Sequence, residues 1–481
     1  QMTTTLSFVD EQKSIVGEYK VEKECELRFE VGFNQRLLVT LIEGSAERFG
    51  TELGQGIPFE FGGGTKCAIF TWHGCVVQLR FFPSSSLNSN ISSSVSTSST
   101  TKLINTPTTT TTSSSSSSAA SSTSVNQDGK VVLKKHLHLY IARETPMVQY
   151  LNTHGILEAM RTKAVQTNSE GPRVMIVGPV DTGKSTLSHI LLAYAARCGR
   201  QPMFVDLDVG QGSITIPGML STVGIHRPPD LKYEFSLCAP LSLFFGHTSP
   251  SANLELYRKQ TQHLFGFIDQ RFEHNAKSKS SGFIVNTCGW IDGDGYELLL
   301  ETIKLSKANV ILVIDQERLY NDLADRYATL AQVVKLSKSG GVINRDRQHR
   351  ATTRIRKYQE YFYGPKNDLC PHSTVVKFSD VTIFQVGAGQ HQAPLTALPI
   401  GATRQLHASS LIKVEPSNDL VHSILAVSYA QKEEDILSSN LAGYVHVNEV
   451  NTTKGIIICL SPCPGNLPGQ FLLVGTLKKV G

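Results

Sequence analysis

At 481 residues the chain is long enough for about three ordinary domains, each with its own buried core. Apolar residues make up 40% and charged residues 18%, which excludes a wholly disordered chain. The net charge is +5, from 46 Lys and Arg against 41 Asp and Glu, and over this length that is too weak to argue for a nucleic-acid partner; charge clusters must decide.

The opening stretch, Gln1 to Glu11, holds neither a basic run nor an apolar core, so no secretory signal is expected there. No apolar run approaches the roughly 18 residues of a membrane span, so no membrane partner is expected. Between Glu26 and Leu79 the apolar residues alternate with period two, in runs at 26–31, 36–42, 57–61, 67–72 and 76–79. Turn residues such as Gly62-Gly63-Gly64 separate them, which predicts an antiparallel sheet or small sandwich. Residues 84–124 are nearly all Ser, Thr and Asn, with too little apolar surface to offset chain entropy, and a disordered insertion over 84–128 is expected. A further alternating strand at 136–141 follows, so the insertion reads as an expanded hairpin loop within the first domain.

From Pro172 apolar strands alternate with helical stretches. Strands are expected at 174–177, 203–207, 241–245, 283–285 and 310–314, and helices at 184–198, 253–272, 296–308 and 317–334. That alternation predicts a parallel sheet covered by helices. Residues 338–357 are basic and poorly periodic, and after Tyr363 short strand-like pieces return. The expected division is a β domain at 1–147, an α/β domain at 148–353 with a basic lid at 338–353, and a β-rich domain at 354–481. Nine cysteines without a CxxC pair read as free, mostly buried thiols in a reducing compartment.

The strongest motif is Gly178-Pro-Val-Asp181-Thr182-Gly183-Lys184-Ser185-Thr186, which fits GxxxxGK[ST] at every fixed position between a strand and a helix. Its glycines let backbone amides curl toward phosphate oxygens, and the helix N-terminus adds partial positive charge. Lys184 would reach the β- and γ-phosphates, and Ser185 would ligate Mg²⁺. The strand at 203–207 leads into Asp206 and Asp208, either of which could take a proton or hold the metal through water. Asp315 ends another strand, with structural and functional roles equally open. The basic segment around Arg345 and Arg350 could close over a γ-phosphate, contact RNA phosphates or simply be solvated. Trp290 follows a strand at the ligand-binding edge and either stacks on a base or packs. No Asn-Lys-x-Asp sequence is present, which argues against guanine recognition.

The runs 26–31, 70–75, 178–186, 206–212, 286–290, 315–320 and 361–364 occur together in one family. Over nearly its whole length apart from the Ser/Thr run, the chain resembles the eukaryotic RNA polynucleotide 5′-hydroxyl kinases of the pre-mRNA cleavage complex. Asp206-Leu-Asp208-Val-Gly-Gln211-Gly and Asn286-Thr-Cys-Gly-Trp290 are more specific to it than a phosphate loop alone. The resemblance implies a central P-loop NTPase domain of α/β class, flanked by a small N-terminal β-sandwich domain and a small β-rich C-terminal domain. It implies transfer of the γ-phosphoryl of ATP to the 5′-hydroxyl end of RNA, with Mg²⁺. By position, Gly178, Asp181, Thr182, Gly183, Lys184, Ser185 and Thr186 would hold the nucleotide, with Ser185 on the metal, and Asp208 would activate the hydroxyl. Arg345 and Arg350 would be lid arginines, Trp290 and Gln211 would hold the RNA end, and Glu26 and Lys66 would reach the ATP. Implied partners are subunits of the pre-mRNA cleavage complex and of the tRNA splicing endonuclease, in the nucleus. Some members of the family bind ATP only as scaffolds, and that remains the rival reading, with a small-molecule kinase as another.

Overall fold

The structure is a computed structural model and describes residues 14–32, 35–82, 137–232, 234–235, 239–365, 367–387 and 410–478. The Ser/Thr-rich insertion lies outside the described residues. The chain forms two compact units, one of Gln1–Ala46 with Leu53–Arg143, the other of Glu47–Glu52 with Glu144–Gly481.

The first unit is built from β1 (Ile15–Val21), β2 (Cys25–Glu30), β3 (Arg36–Gly44), β6 (Pro58–Phe61), β7 (Lys66–Thr71), β8 (Cys75–Phe82) and β9 (His138–Ala142); β4 (Glu47–Arg48) and β5 (Thr51–Glu52) belong to the second. One antiparallel sheet runs β1-β8-β3-β6, and in another β2 pairs with β7 and β9. The alternation seen in sequence is the sandwich pattern: along β8 every second residue is buried. Phe29, Leu37, Val39, Ile69, Val77, Leu79 and Phe81 are all at most 1% exposed. The strands flanking the insertion do not form a hairpin, because β8 pairs with β1 and β3 while β9 pairs with β2. Alternation identifies a strand but not its partner, and β8 and β9 lie in different sheets.

The second unit continues with α1 (Met147–Thr167), β10 (Arg173–Val177), α2 (Lys184–Arg197), β11 (Met203–Asp206), β12 (Met219–Gly224), β13 (Leu241–Phe244), α3 (Leu254–His274), α4 (Ala276–Ser281), β14 (Phe283–Asn286), α5 (Asp294–Ser306), β15 (Val310–Ile314), α6 (Glu317–Tyr327), β16 (Gln332–Leu336) and α7 (Arg347–Tyr363). Its sheet runs β13-β12-β11-β14-β10-β15-β16, with the five strands from β11 to β16 in that order parallel. The run at 241–245 is therefore a strand, but β13 and β12 are antiparallel additions at the edge. The helix expected over 317–334 stops at Tyr327, and its β-branched end, Val333-Val334, forms β16 beside β15. Helix α1 escaped sequence reading because its inward stripe, Met147, Tyr150, His154, Leu157, Arg161 and Ala164, contains a histidine and an arginine. Arg161 is fully buried and donates from Nε to the Ser281 carbonyl at 3.1 Å.

Beyond α7 come β17 (His372–Lys377), β18 (Thr382–Val386), β19 (Leu411–Val414), β20 (Ser423–Ser428), β21 (Leu441–Asn451), β22 (Ile456–Ser461) and β23 (Phe471–Lys478), forming one sheet in the order β17-β22-β21-β20-β23-β18-β19. One face of this C-terminal sheet, including Ala426, Tyr444, Leu473 and Leu477, shares a core with the α/β sheet. The other face has its own core around Leu425, Val445, Val447, Ile457 and Leu472. Among the described residues no helix is long and apolar enough to cross a membrane. The described cysteines are free; Cys25, Cys67, Cys75 and Cys459 are buried, but Cys198, Cys370 and Cys463 are exposed.

Candidate active site

Strand β10 is buried along its length and lies between β14 and β15, so the loop after it emerges at the C-terminal edge of the parallel sheet, where such sheets bind ligands. Gly183 at φ 91 takes the left-handed conformation that turns the chain into α2, which begins at Lys184. Asp181 is also left-handed, at φ 56. Thr182 ties the loop by donating from Oγ1 to the Pro179 carbonyl at 3.0 Å. Lys184 is 7% exposed, and its ammonium donates to the carbonyls of Gly178 (3.0 Å) and Pro179 (2.6 Å). Burial lowers its pKa, against the opposing pull of Asp208, Cys288 and Asp181. Ser185 and Thr186 follow in the first turn of α2, both partly exposed.

The acidic loop after β11 packs beside this cradle. Asp206 ends the strand fully paired: Oδ1 accepts from the Asp208 amide (3.1 Å) and Asn286 Nδ2 (3.0 Å), and Oδ2 accepts from the Ser213 amide (2.6 Å). Burial, with Asp208 adding to it, pushes the Asp206 carboxyl up to about 6. Asp208 uses Oδ1 to accept the amides of Gly210 and Gln211, each at 3.0 Å. Burial raises its pKa, while those amides, Lys184 and Arg350 pull it down. The two carboxylates divide the work that the sequence left open. Asp206 holds the loop together, and Asp208 lies in the field of Lys184 and Arg350.

The basic segment is more ordered than a loop. Helix α7 starts at Arg347, capped by Asp346, whose Oδ1 accepts from the His349 amide at 2.6 Å. Its low apolar content hid it, since only Tyr358 and Phe362 on it are buried; the Asp cap was the available signal. Asp181 Oδ2 accepts from the Arg345 amide (2.9 Å) and from Arg350 Nη2 (2.6 Å), so the basic segment is anchored on the phosphate loop. Gln211 Nε2 donates to the Gly210 carbonyl (2.8 Å) and the Arg350 carbonyl (3.3 Å).

The Asn286–Trp290 run completes the group. Thr287 donates to the Ile176 carbonyl at 2.8 Å, and a Cβ on Gly289 would stand 2.3 Å from the Val180 amide nitrogen. Only a glycine lets this turn touch the phosphate loop. Trp290 is partly exposed and lies against Gly295, where a Cβ would be 2.3 Å from the indole. Cys288 is pushed up to about 11, mainly by burial, so its thiol stays protonated. Asn286 was missed as an individual residue; a polar side chain ending an apolar strand was its signal. Asp315 is exposed with φ 53, at the end of β15. In the first unit, Glu26 is buried and paired with Arg28 at 2.7 Å, and Lys66 pairs with Glu30, its cross-strand partner, at 2.8 Å.

Fold and site together define a phosphate-loop nucleotide-binding protein with a basic segment held against the loop. Residues 178–364 match the P-loop of mRNA cleavage and polyadenylation factor CLP1, residues 369–478 match pre-mRNA cleavage complex II protein Clp1, and residues 20–164 match the N-terminal beta-sandwich domain of polyadenylation factor. The chain is 43% identical over 471 residues to a protein CLP1 homolog of Culex quinquefasciatus, covering 98% of each. It is 40% identical to the polyribonucleotide 5′-hydroxyl-kinase Clp1 of Gallus gallus, covering 97% of each, and 39% identical to that of Homo sapiens, covering 98% of each. A solved wild-type Clp1p in complex with Pcf11p (454–563) has the same fold, with a TM-score of 0.74 at 21% identity, covering 96% of this chain and 98% of that one. The chain belongs to the Clp1 family.

Proposed function

We propose that the chain is an ATP-dependent polynucleotide kinase that phosphorylates the 5′-hydroxyl end of RNA. The reading rests on one observation: Arg350 joins the two loops, its guanidinium on Asp181 of the phosphate loop and its carbonyl accepting from Gln211 of the Asp208 loop. The hydroxyl gives its proton to Asp208 as its oxygen bonds to the γ-phosphorus, and the bond from that phosphorus to the β–γ bridging oxygen breaks, releasing ADP. A carboxyl raised by burial is the better base for this task. Lys184, Arg345 and Arg350 supply the positive charge that phosphoryl transfer demands. The amides of the 178–186 loop cradle the phosphates, and Gln211 and Trp290 take the RNA end. Glu26 and Lys66 are assigned to the nucleotide by family resemblance, which their ion pairs neither require nor oppose.

The Ser185 hydroxyl, partly exposed in the first turn of the helix after the phosphate loop, is an oxygen donor of the kind that suits Mg²⁺, which leaves Asp208 to take the proton. Asp208 Oδ1 takes two amides while Oδ2 accepts none of the described hydrogen bonds. When bound, Mg²⁺ neutralises charge on the β- and γ-phosphates.

We also read the chain as a nuclear subunit of a pre-mRNA cleavage complex, binding a Pcf11-like chain and associating with tRNA splicing endonuclease subunits. The support is the family and the Pcf11p held by its solved relative. The deciding assay incubates the purified chain with γ-labelled ATP, Mg²⁺ and a 5′-hydroxyl oligoribonucleotide. Label should reach the RNA end, and Lys184→Ala should abolish transfer. ATP retained without transfer would favour a scaffold that binds nucleotide for rigidity, and transfer to nucleosides or sugars in preference to RNA would favour a small-molecule kinase.

A further inference from the structure

The loop bearing Asp208 and Gln211 is held from below as well as from the phosphate side. Gly218 donates its amide to the Val209 carbonyl at 2.7 Å, and its carbonyl accepts from Phe245 (3.1 Å) and Gly246 (2.8 Å). The segment after β13 thus meets the Asp208 loop, and it meets it again at Gly210, where a Cβ would lie 2.8 Å from the Thr248 carbonyl.

On the side away from the Asp208 loop, β23 lies against Gly218 and against the 246–247 end of the segment that reaches Gly210. The Gly246 carbonyl accepts from the Thr476 amide at 2.9 Å and from Thr476 Oγ1 at 3.2 Å. His247 Nδ1 lies 3.2 Å from the same hydroxyl. Leu477 covers Gly218, where a Cβ would be 2.6 Å from its Cδ1. Gly475 faces Gly246 so closely that a Cβ on it would stand 2.2 Å from the Gly246 carbonyl oxygen and 2.6 Å from its Cα. Those neighbours are backbone atoms, which cannot swing aside. Two short relays result: Leu477 to Gly218 to Val209, and Thr476 to the 246–248 segment to Gly210.

We infer that β23 of the C-terminal sheet is a buttress for the reacting loop, with Gly475, Thr476 and Leu477 as positioning residues for Asp208 and Gln211. On this account the C-terminal sheet is part of what sets the turnover rate, although none of its residues touches substrate. The inference rests on the kinase reading for its effect on rate, but its structural content can be measured without turnover. A displacement of a reacting group by about 1 Å is enough to lower a rate by about 10²-fold.

The test uses the full chain with Gly475→Ala, Thr476→Val and, as control, Ile457→Val in the core on the opposite face of the same sheet. Amide exchange is followed separately in peptides covering 207–213 and 178–186, alongside kcat and the KM for ATP. Gly475→Ala and Thr476→Val should speed exchange in 207–213 and leave 178–186 unchanged. They should lower kcat, by about tenfold or more for Gly475→Ala, with the ATP KM unmoved. Ile457→Val should leave exchange in 207–213 and kcat at wild-type values. Wild-type exchange in 207–213 for Thr476→Val would overturn the buttress, even if Gly475→Ala fails to fold. So would equal acceleration in Ile457→Val, which would mean that any loss of sheet stability has the same effect. A wild-type chain without kinase activity defeats the kinase reading alone, because the exchange data still decide whether β23 positions the loop.

Discussion

Arg350, in the first turn of α7, lies 2.6 Å from the carboxylate of Asp181 in the phosphate loop. The pair is partly exposed, with side-chain exposures of 31% and 14%, so its Coulomb energy is screened and its value is in placement. It holds a guanidinium beside the cradle, where the Asp181 carboxylate engages Arg350 much as a phosphate oxygen would.

Arg350→Ala should therefore lower kcat by about 10²- to 10³-fold while the affinity for ATP changes far less. Initial rates with labelled ATP, together with equilibrium nucleotide binding, separate the two. Equal losses in both would mean that Arg350 only binds. Asp181→Asn keeps the shape but weakens the anchor, and faster proteolysis of the 342–350 segment in the nucleotide-free chain is the expected sign.

Lys184→Ala removes the cation but leaves the loop its backbone conformation, since Gly183 and Thr182 set that independently. Turnover should fall by orders of magnitude. Stability should change by about 1 kcal/mol, the scale of the hydrogen bonds that Lys184 makes to Gly178 and Pro179. Rate assays and thermal denaturation of the same preparation check both halves.

Asp208→Asn retains an oxygen for the amides of Gly210 and Gln211, so the loop should keep its course. The carboxamide cannot take the hydroxyl proton, and kcat should drop by about 10²- to 10⁴-fold. If ATP binding collapses instead of turnover, Asp208 serves the metal or the fold.

Stability should decline as pH falls below about 6.5. His154 and His189 are each held near 4 instead of 6.5, chiefly by burial. They stay neutral in the fold but take protons in the unfolded chain, so the stability present above 6.5 is lost as pH falls toward 4. Asp206 acts in the opposite sense, because its carboxyl titrates near 6 in the fold and 3.8 outside it. It favours the fold as pH falls between those values, and Asp208 and Glu47, also raised by burial, act with it, while His247 and His263, also lowered by burial, add to the side of His154 and His189. His189 packs against the rings of Phe204 and Phe235, at 6.1 and 4.9 Å. His189→Phe should remove about 1–3 kcal/mol of the pH dependence, read as a flatter curve of unfolding midpoint against pH.

Much of the fold is written in residue spacing, and the exceptions have physical causes. Gly178–Thr186 and the period-two strands could be recognised because backbone conformation and one-sided burial constrain residue type locally. The partner of β9 could not, because pairing is a long-range choice that the alternation of a single strand does not encode. Helix α1 was hidden by a buried arginine, whose cost is offset by the Ser281 carbonyl and by Glu158 at 3.5 Å, partners remote or unobvious in sequence. At the site, the positions of Lys184 and Asp208 were legible as motifs. The hold of Asp181 on the lid and the support of Gly210 by Thr248 depend on contacts made only in three dimensions.

The hairpin Glu47–Glu52 has a consequence for how the chain is made. Although it interrupts the first unit, its residues serve the second: Glu47 accepts from Tyr194 and, at 3.0 Å, from Arg197, Glu52 also pairs with Arg197, and Arg48 donates to the Leu231 carbonyl at 2.6 Å. During synthesis these six residues leave the ribosome long before the helix they clasp, so the nascent hairpin must wait with its carboxylates unmatched until α2 emerges. Gene fragments that start at Glu144 would express the phosphate loop without its clasp, leaving the Tyr194 hydroxyl and the Arg197 guanidinium without these carboxylate partners. The enzyme's catalytic half is thus discontinuous in its gene, and any attempt to transplant it must carry two separate stretches of coding sequence.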